Sequence, residues 1–187
     1  MNARVAPVVN LATGPRSSIP DRLAAAREQT RLDGLDQYDV MDTPPEETFD
    51  SITRLARQVF GMPMAAITFI DGHREWFKSR DGFSETQLPR HASLGESVLA
   101  SGEPLVILDG AEDDHWRDHP CIAGSPHIRF YAATPLLNPA GLIVGTLGVF
   151  DSAPRDFGPA ELGLLSDLAR MTVTVLELRL RTMLDPL

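Results

Sequence analysis

HIRFYAATPLLNPAGLIVGTLGVFD, residues 127–151, holds two apolar segments joined by Asn138-Pro139-Ala140-Gly141. The joint is a turn signal, so the stretch reads as an antiparallel hairpin. Its second arm carries Gly145 and Gly148. Glycine weakens a strand interior unless something needs the missing side chain. The hairpin therefore makes room for a ligand, for a neighbouring backbone, or for nothing in particular.

Working outward, MAAITFI (Met64 to Ile70) is a continuous apolar run of strand length and reads as a strand covered on both faces. Asp71-Gly72 gives a turn, and REWFKSR follows as the partner strand, with one wetter face. Upstream, DTPPEETFDSITRLARQVFG reads as a helix. Thr43 caps it, Pro44 takes the first position, and Glu46 completes a Thr-x-x-Glu capping box. Phe49, Ile52, Ala56, Val59 and Phe60 recur on one face, and Gly61 and Pro63 stop the helix. Downstream, HASLGESVLASGE is a short helix closed by Gly102, and PLVILD (Pro104 to Asp109) is a buried strand. Residues 110–127 form a long polar connection, of the kind that often carries function. Hairpins rather than crossovers join the strands. The expected fold class is α+β, a mostly antiparallel sheet with helices on its faces.

Residues 1–19 mix Pro, Ser, Thr and Gly without periodicity and read as a tail, and residues 20–35 read as a helix. A single domain spans 36–183 and closes with a helix that starts at Gly158-Pro159 and runs to about Arg181. Leu164, Leu168, Met171, Val175 and Leu178 follow 4-3-4-3 spacing along it. That stripe packs on the protein's own sheet or forms a dimer seam, and one helix can do both with different faces.

Apolar residues make up 43% of the 187 and charged residues 23%, which fits one soluble domain with a real core. No run is long enough for a membrane span, and Val5 to Leu11 is too polar for a signal-peptide core. The single cysteine, Cys121, excludes an intrachain disulfide and suits a reducing cytoplasm. The net charge is −9, with five arginines against Asp21 and Glu28 in residues 1–31, so the body is more acidic still. An acidic body argues against nucleic acid and anionic membrane as partners.

Four blocks taken together, DTPPEETFDSITRLARQVFGMPMAAITFID, REWFKSRDG, EPLVILD and IRFYAATPLLNPAGLIVGTLGVFD, resemble the GAF domains of bacterial histidine kinases and diguanylate cyclases. The likeness covers roughly residues 32–181. It implies a six-stranded antiparallel sheet flanked by helices, a small-molecule pocket under irregular loops, and dimerisation through the flanking helices. It also implies regulation of an output domain, as in two-component systems, usually without chemistry. Members with these blocks commonly carry Ser-Phe-Cys-Ala-His where this chain has Ser93-Leu94-Gly95-Glu96-Ser97, and Gly-Thr-Leu-Cys where it has Gly145-Thr146-Leu147-Gly148. No redox or metal role resting on those residues carries over. No kinase, cyclase or DNA-binding segment fits in the rest of the sequence, so the chain is expected to be a stand-alone regulator or a piece of a larger one.

For a pocket, the polar and aromatic groups at loop–sheet junctions are the candidates: Trp76, Ser93, Glu96, Asp109 and Trp116, then Arg129, Tyr131, Thr134 and Thr146. Each has a plainer reading. Trp76 and Tyr131 suit a core, and Arg129 can pair with Asp109. His115, His119, Cys121 and His127 are metal-ligand types, but Pro120 interrupts them and their spacing matches no standard site. Solvated loop histidines are the better reading. A thiol enzyme of the methionine sulfoxide reductase kind needs more than one cysteine, and neither a bilin-attachment context nor a cyclic-nucleotide signature is visible.

The sequence thus points to a non-enzymatic sensor, with no cofactor, that binds a small ligand and signals through its terminal helices, as a homodimer, to a partner or output domain. The alternative is a degenerate domain of the same fold that only dimerises or docks. An open pocket with unpaired polar groups favours the first, and one filled by Trp76, Tyr131 and Trp116 favours the second.

Overall fold

The computed structural model describes residues 18–185, so the expected tail lies almost wholly outside the described residues. The strands are β1 (Met64–Ile70), β2 (Arg74–Asp81), β3 (Gln87–Pro89), β4 (Leu105–Ile107), β5 (Phe130–Leu137) and β6 (Ile143–Asp151). They form one six-stranded sheet in the order β3-β2-β1-β6-β5-β4. Every neighbouring pair is antiparallel. The α+β architecture and the opening hairpin are as expected from the sequence. The β1 and β6 strands lie at the centre, and all seven β1 residues are buried.

The helices are α1 (Ile19–Asp36), α2 (Glu47–Phe60), α3 (Gly95–Ser101), α4 (Pro120–Ala123) and α5 (Pro159–Leu184). Both α2 and α5 cover one face of the sheet. Phe49, Ile52 and Ala56 meet Leu165, Leu168 and Leu176 there over Ile67, Phe69, Leu147 and Val149. A second cluster fills the other face, where Leu94, Val98, Cys121 and Ile122 of the α3–α4 side meet Phe77, Tyr131, Ala133 and Phe150.

Two local expectations are corrected, and a third, left open, is resolved. Thr43 does not cap α2. That helix begins at Glu47 after an extended Glu46, and no side chain caps it. The buried Lys78 ammonium takes over the would-be capping groups, donating to Thr43 Oγ1, Pro44 O and Glu46 Oε1, each at 2.7 Å. Second, β2 has no wet face, because Glu75 to Ser79 are all buried. A bulge opposite Ile67 and Thr68 inserts Lys78 as an extra residue and turns it toward α2, where it lies over the Phe49 and Trp76 rings. Third, the α5 stripe splits. Leu168 is buried with Leu165, Ala169, Thr172 and Leu176, whereas Leu164, Met171 and Leu178 stay exposed. The 3.6-residue period of the packed face drifts across the 3.5-residue seam read from the sequence.

The sequence's two glycines in the hairpin have different reasons. A Cβ on Gly145 would sit 1.8 Å from the Thr68 carbonyl oxygen, so the close approach of β6 to β1 requires its absence. A Cβ on Gly148 would make only ordinary contacts, 3.4 Å to Ala133 Cβ and 3.7 Å to the Tyr131 ring. Gly145 makes room for a backbone, and Gly148 makes room for a cavity.

Candidate functional site

That cavity lies on the α3–α4 face of the sheet and measures about 40 Å³. Strand alternation supplies its floor: Ala66 and Thr68 from β1, Glu75 and Phe77 from β2, Tyr131 from β5, and Thr146, Gly148 and Phe150 from β6. Phe83, Glu85 and Leu88 close one side, and Leu94, Cys121, Pro126 and Ile128 close the other. The walls come from loops and short helices, while the floor sits on the most regular part of the sheet.

Glu75 is the chemical centre. It is 4% exposed, and Ser93 Oγ donates to its Oε2 at 2.6 Å. Burial holds its carboxyl above the ordinary range, helped by the Glu96 charge and opposed by hydrogen bonds from Ser93 and Thr68. Thr68 and Thr146 share a hydroxyl–hydroxyl bond of 2.9 Å across the floor. Burial and the Glu75 charge likewise push the Tyr131 hydroxyl well above its usual value. Cys121 Sγ donates to Ala92 O at 2.9 Å, and burial raises the thiol to about 11. At neutral pH Cys121 is a buried thiol and a poor nucleophile.

Of the residues singled out from the sequence, Tyr131 and Thr146 line the cavity. Ser93 holds Glu75, and Glu96 sits behind the wall, bound by Arg90. The others are elsewhere. Trp76 belongs to the core on the α2–α5 face, where the β2 alternation sends it. Thr134 meets Ser166 of α5 at 3.4 Å on that same face. Arg129 binds Asp109 through two nitrogens outside the cavity, as their plainer reading had it. Trp116 packs against the second cluster and between His115 and His119 without lining the cavity. His115 and His127 are exposed, and His119 Nδ1 accepts the Cys121 N–H. Among the described residues no group of three or more His, Cys, Asp or Glu could hold a metal ion.

Glu75 escaped the sequence reading, together with Thr68, Phe77, Phe83 and Glu85. The signal was present in REWFKSR, where Glu75 and Phe77 alternate with Trp76. Assigning Trp76 to the pocket fixed the wrong face.

One polar network leaves the site, and a second runs on the opposite face of the sheet. Ser93 Oγ accepts the Glu96 N–H, Glu96 binds Arg90, and Arg90 also binds Glu28 of α1. Glu28 holds Arg31, whose Nη1 donates to Ile70 O at 2.8 Å, at the end of β1. The Arg31 and Arg90 guanidinium groups, against a smaller burial effect, hold the Glu28 carboxyl down at about 2. On the other face Lys78 binds Glu46, which also accepts from Arg179 of α5 at 2.9 Å. Arg179 reaches on to Tyr38 O, and the Tyr38 hydroxyl binds Glu177.

A family model for the GAF domain matches residues 44–176. The chain is 32% identical over 149 residues to a cyclic di-GMP phosphodiesterase of Pseudomonas aeruginosa, and it spans a quarter of that protein's length while 78% of the chain is matched. Among solved structures, the GAF domain of an Acinetobacter phosphoenolpyruvate-protein phosphotransferase superposes with a TM-score of 0.60 at 13% identity, covering 83% of this chain and 93% of that one. A free methionine-R-sulfoxide reductase of Neisseria meningitidis, in complex with its substrate, superposes with a TM-score of 0.60 at 17% identity, covering 92% and 98%. These structural likenesses show a shared fold.

Proposed function

The chain belongs to the GAF domain family, and from that premise we propose that it is a sensory domain. A small ligand enters the cavity on the α3–α4 face, and α1 and α5 carry its occupancy to a partner or output domain. The observation that carries this reading is the buried Glu75–Ser93 pair at the cavity edge, joined through Glu96, Arg90 and Glu28 to α1. A ligand that moves Glu75 or Ser93 changes the anchorage of that helix. It shifts the population by as much as it prefers one arrangement over the other. The domain acts without chemistry of its own, since its one thiol is buried and donates to a carbonyl. It works in the cytoplasm, and cyclic di-GMP turnover is the output suggested by the Pseudomonas relative. No helix among the described residues is long and apolar enough to cross a membrane.

Native mass spectrometry of the purified protein tests the reading. A reproducible added mass, lost on denaturation and lost in a Gly148→Val variant, supports it. Bare chain mass after incubation with a cell metabolite extract counts against it.

A second reading, dimerisation or docking without a ligand, has its own observation. Leu55 and Val59 of α2 and Leu164, Met171 and Leu178 of α5 are exposed large apolar residues on the outer helical layer. The two readings are compatible if the homodimer forms through this layer and the ligand tunes it.

A further inference from the structure

The cavity also carries the chemistry of its ligand, an inference that rests on reading it as the sensing pocket. Its lining includes two carboxylates, Glu75 and Glu85, and among the described residues no Lys, Arg or His. Arg90, beside the wall, is bound to Glu96 and Glu28, and Lys78 lies on the opposite face over Phe49 and Trp76. Among the described residues the buried Glu75 carboxyl is therefore held by the neutral hydroxyls of Ser93 and Thr68. Aromatic rings surround the rest of the space. Phe83 sits 5.1 Å from Phe77 and 5.1 Å from Phe150, centroid to centroid, and Tyr131 sits 6.2 Å from Phe150. Such rings attract a cation placed within about 6 Å of their centres.

An anion here would meet two acids and no base. A zwitterion such as an amino acid would bury a carboxylate without a partner. A neutral molecule would use neither Glu75 as a counter-ion nor the ring faces as a cation site. A cavity of about 40 Å³ holds on the order of three water-sized positions, which keeps the ligand small. We propose that the pocket binds a small organic ammonium of about three to five heavy atoms, with Glu75 as counter-ion and the Phe77, Phe83, Phe150 and Tyr131 rings as its cage.

Binding then exchanges one positive charge for another, because the ammonium enters and a proton leaves Glu75 for solvent. The groups that face Glu75 are Thr68, Ser93, Cys121, Tyr131 and Thr146, with Glu85 across the cavity and the Arg90-bound Glu96 behind. Burial and the Glu96 charge oppose ionisation of Glu75. Affinity therefore rises with pH over the range in which Glu75 still holds its proton in the empty pocket.

The test is a nitrogen-15 NMR titration of the full chain with ethylammonium and tetramethylammonium, alongside ethanol, acetate and glycine. The amide signals of Thr68, Tyr131 and Thr146 report on the pocket. The two ammonium ions are expected to shift them saturably, and the other three are not. Glu75→Gln should weaken the ammonium ions roughly 10- to 100-fold. Phe83→Leu, on the loop at the rim of the second cluster, keeps an apolar side chain there and should weaken them roughly 2- to 30-fold. Undiminished binding in both variants overturns the assignment. Binding of acetate, glycine or ethanol in place of the ammonium ions overturns the cation class and leaves the sensing pocket standing. Silence of the pocket signals to every probe overturns both.

Discussion

A carboxylic acid buried among neutral donors makes stability depend on pH in an unusual direction. Glu75 binds its proton more tightly when folded than when unfolded, because burial raises its carboxyl above the ordinary value of 4.5. Its contribution is therefore fully present at low pH and is lost as pH rises above the unfolded value. Glu75→Gln removes the titration while keeping an oxygen for the Ser93 hydroxyl. The variant should match wild type in thermal melting below pH 4.5 and exceed it by a margin that opens as pH rises above that value. A margin that is flat or shrinks with pH would show that Glu75 ionises as freely folded as unfolded. At this scale the sequence was half legible. Tyr131 and Thr146 could be placed on the pocket by alternation, and Ser93 by its position before a short helix. Glu75 could not, because alternation sets it opposite Trp76, but a strand covered on both faces does not show which face meets the short α3–α4 layer.

Among elements, the central hairpin separates two roles that look alike in the sequence. Gly145→Ala drives a Cβ into the Thr68 carbonyl oxygen, 1.8 Å away, so β6 must part from β1. It should cost about 3 kcal/mol or more, a fall in melting temperature on the order of 6–12 °C. Gly148→Ala has ordinary contacts and a strand propensity in its favour, so its stability should stay within about 1 kcal/mol of wild type while the cavity shrinks. Differential scanning calorimetry of the two variants checks both, and equal losses would sink the distinction. Strands and helices were legible because apolar runs, turn pairs and the glycine stop at Gly61 are local signals. The start of α2 was not. Thr43 and Glu46 have the right spacing for a capping box, but a lysine 32 positions beyond Glu46 takes their oxygens instead. A local rule loses there to a buried ammonium that needs three acceptors.

Across the whole molecule, the sheet is lined by a thick helical layer on one face and a thin, loop-rich layer on the other. The thick layer ends in an exposed apolar strip on α2 and α5, and dimerisation through it makes a testable demand. Met171→Glu, at a residue 52% exposed, should leave melting temperature nearly unchanged and shift the mass measured by light scattering from dimer to monomer. A dimer that survives the charge would move the interface away from this strip. The layered fold was legible from element order alone, since hairpins force antiparallel pairing and leave the helices to cover the faces. Which half of the α5 stripe would face inward was not, because 4-3-4-3 spacing suits a sheet and a partner helix equally well over two heptads.

The α5 helix runs for 26 residues and is pinned to the domain along one side, from Leu165 to Leu176 and again through Arg179. Its angular phase is thus set by the core. Each residue added after it turns whatever follows by about 100° and carries it about 1.5 Å further along the axis. An engineer who splices this domain onto a foreign effector would meet a periodic landscape, with working junctions recurring every three to four residues and silent or inverted ones between.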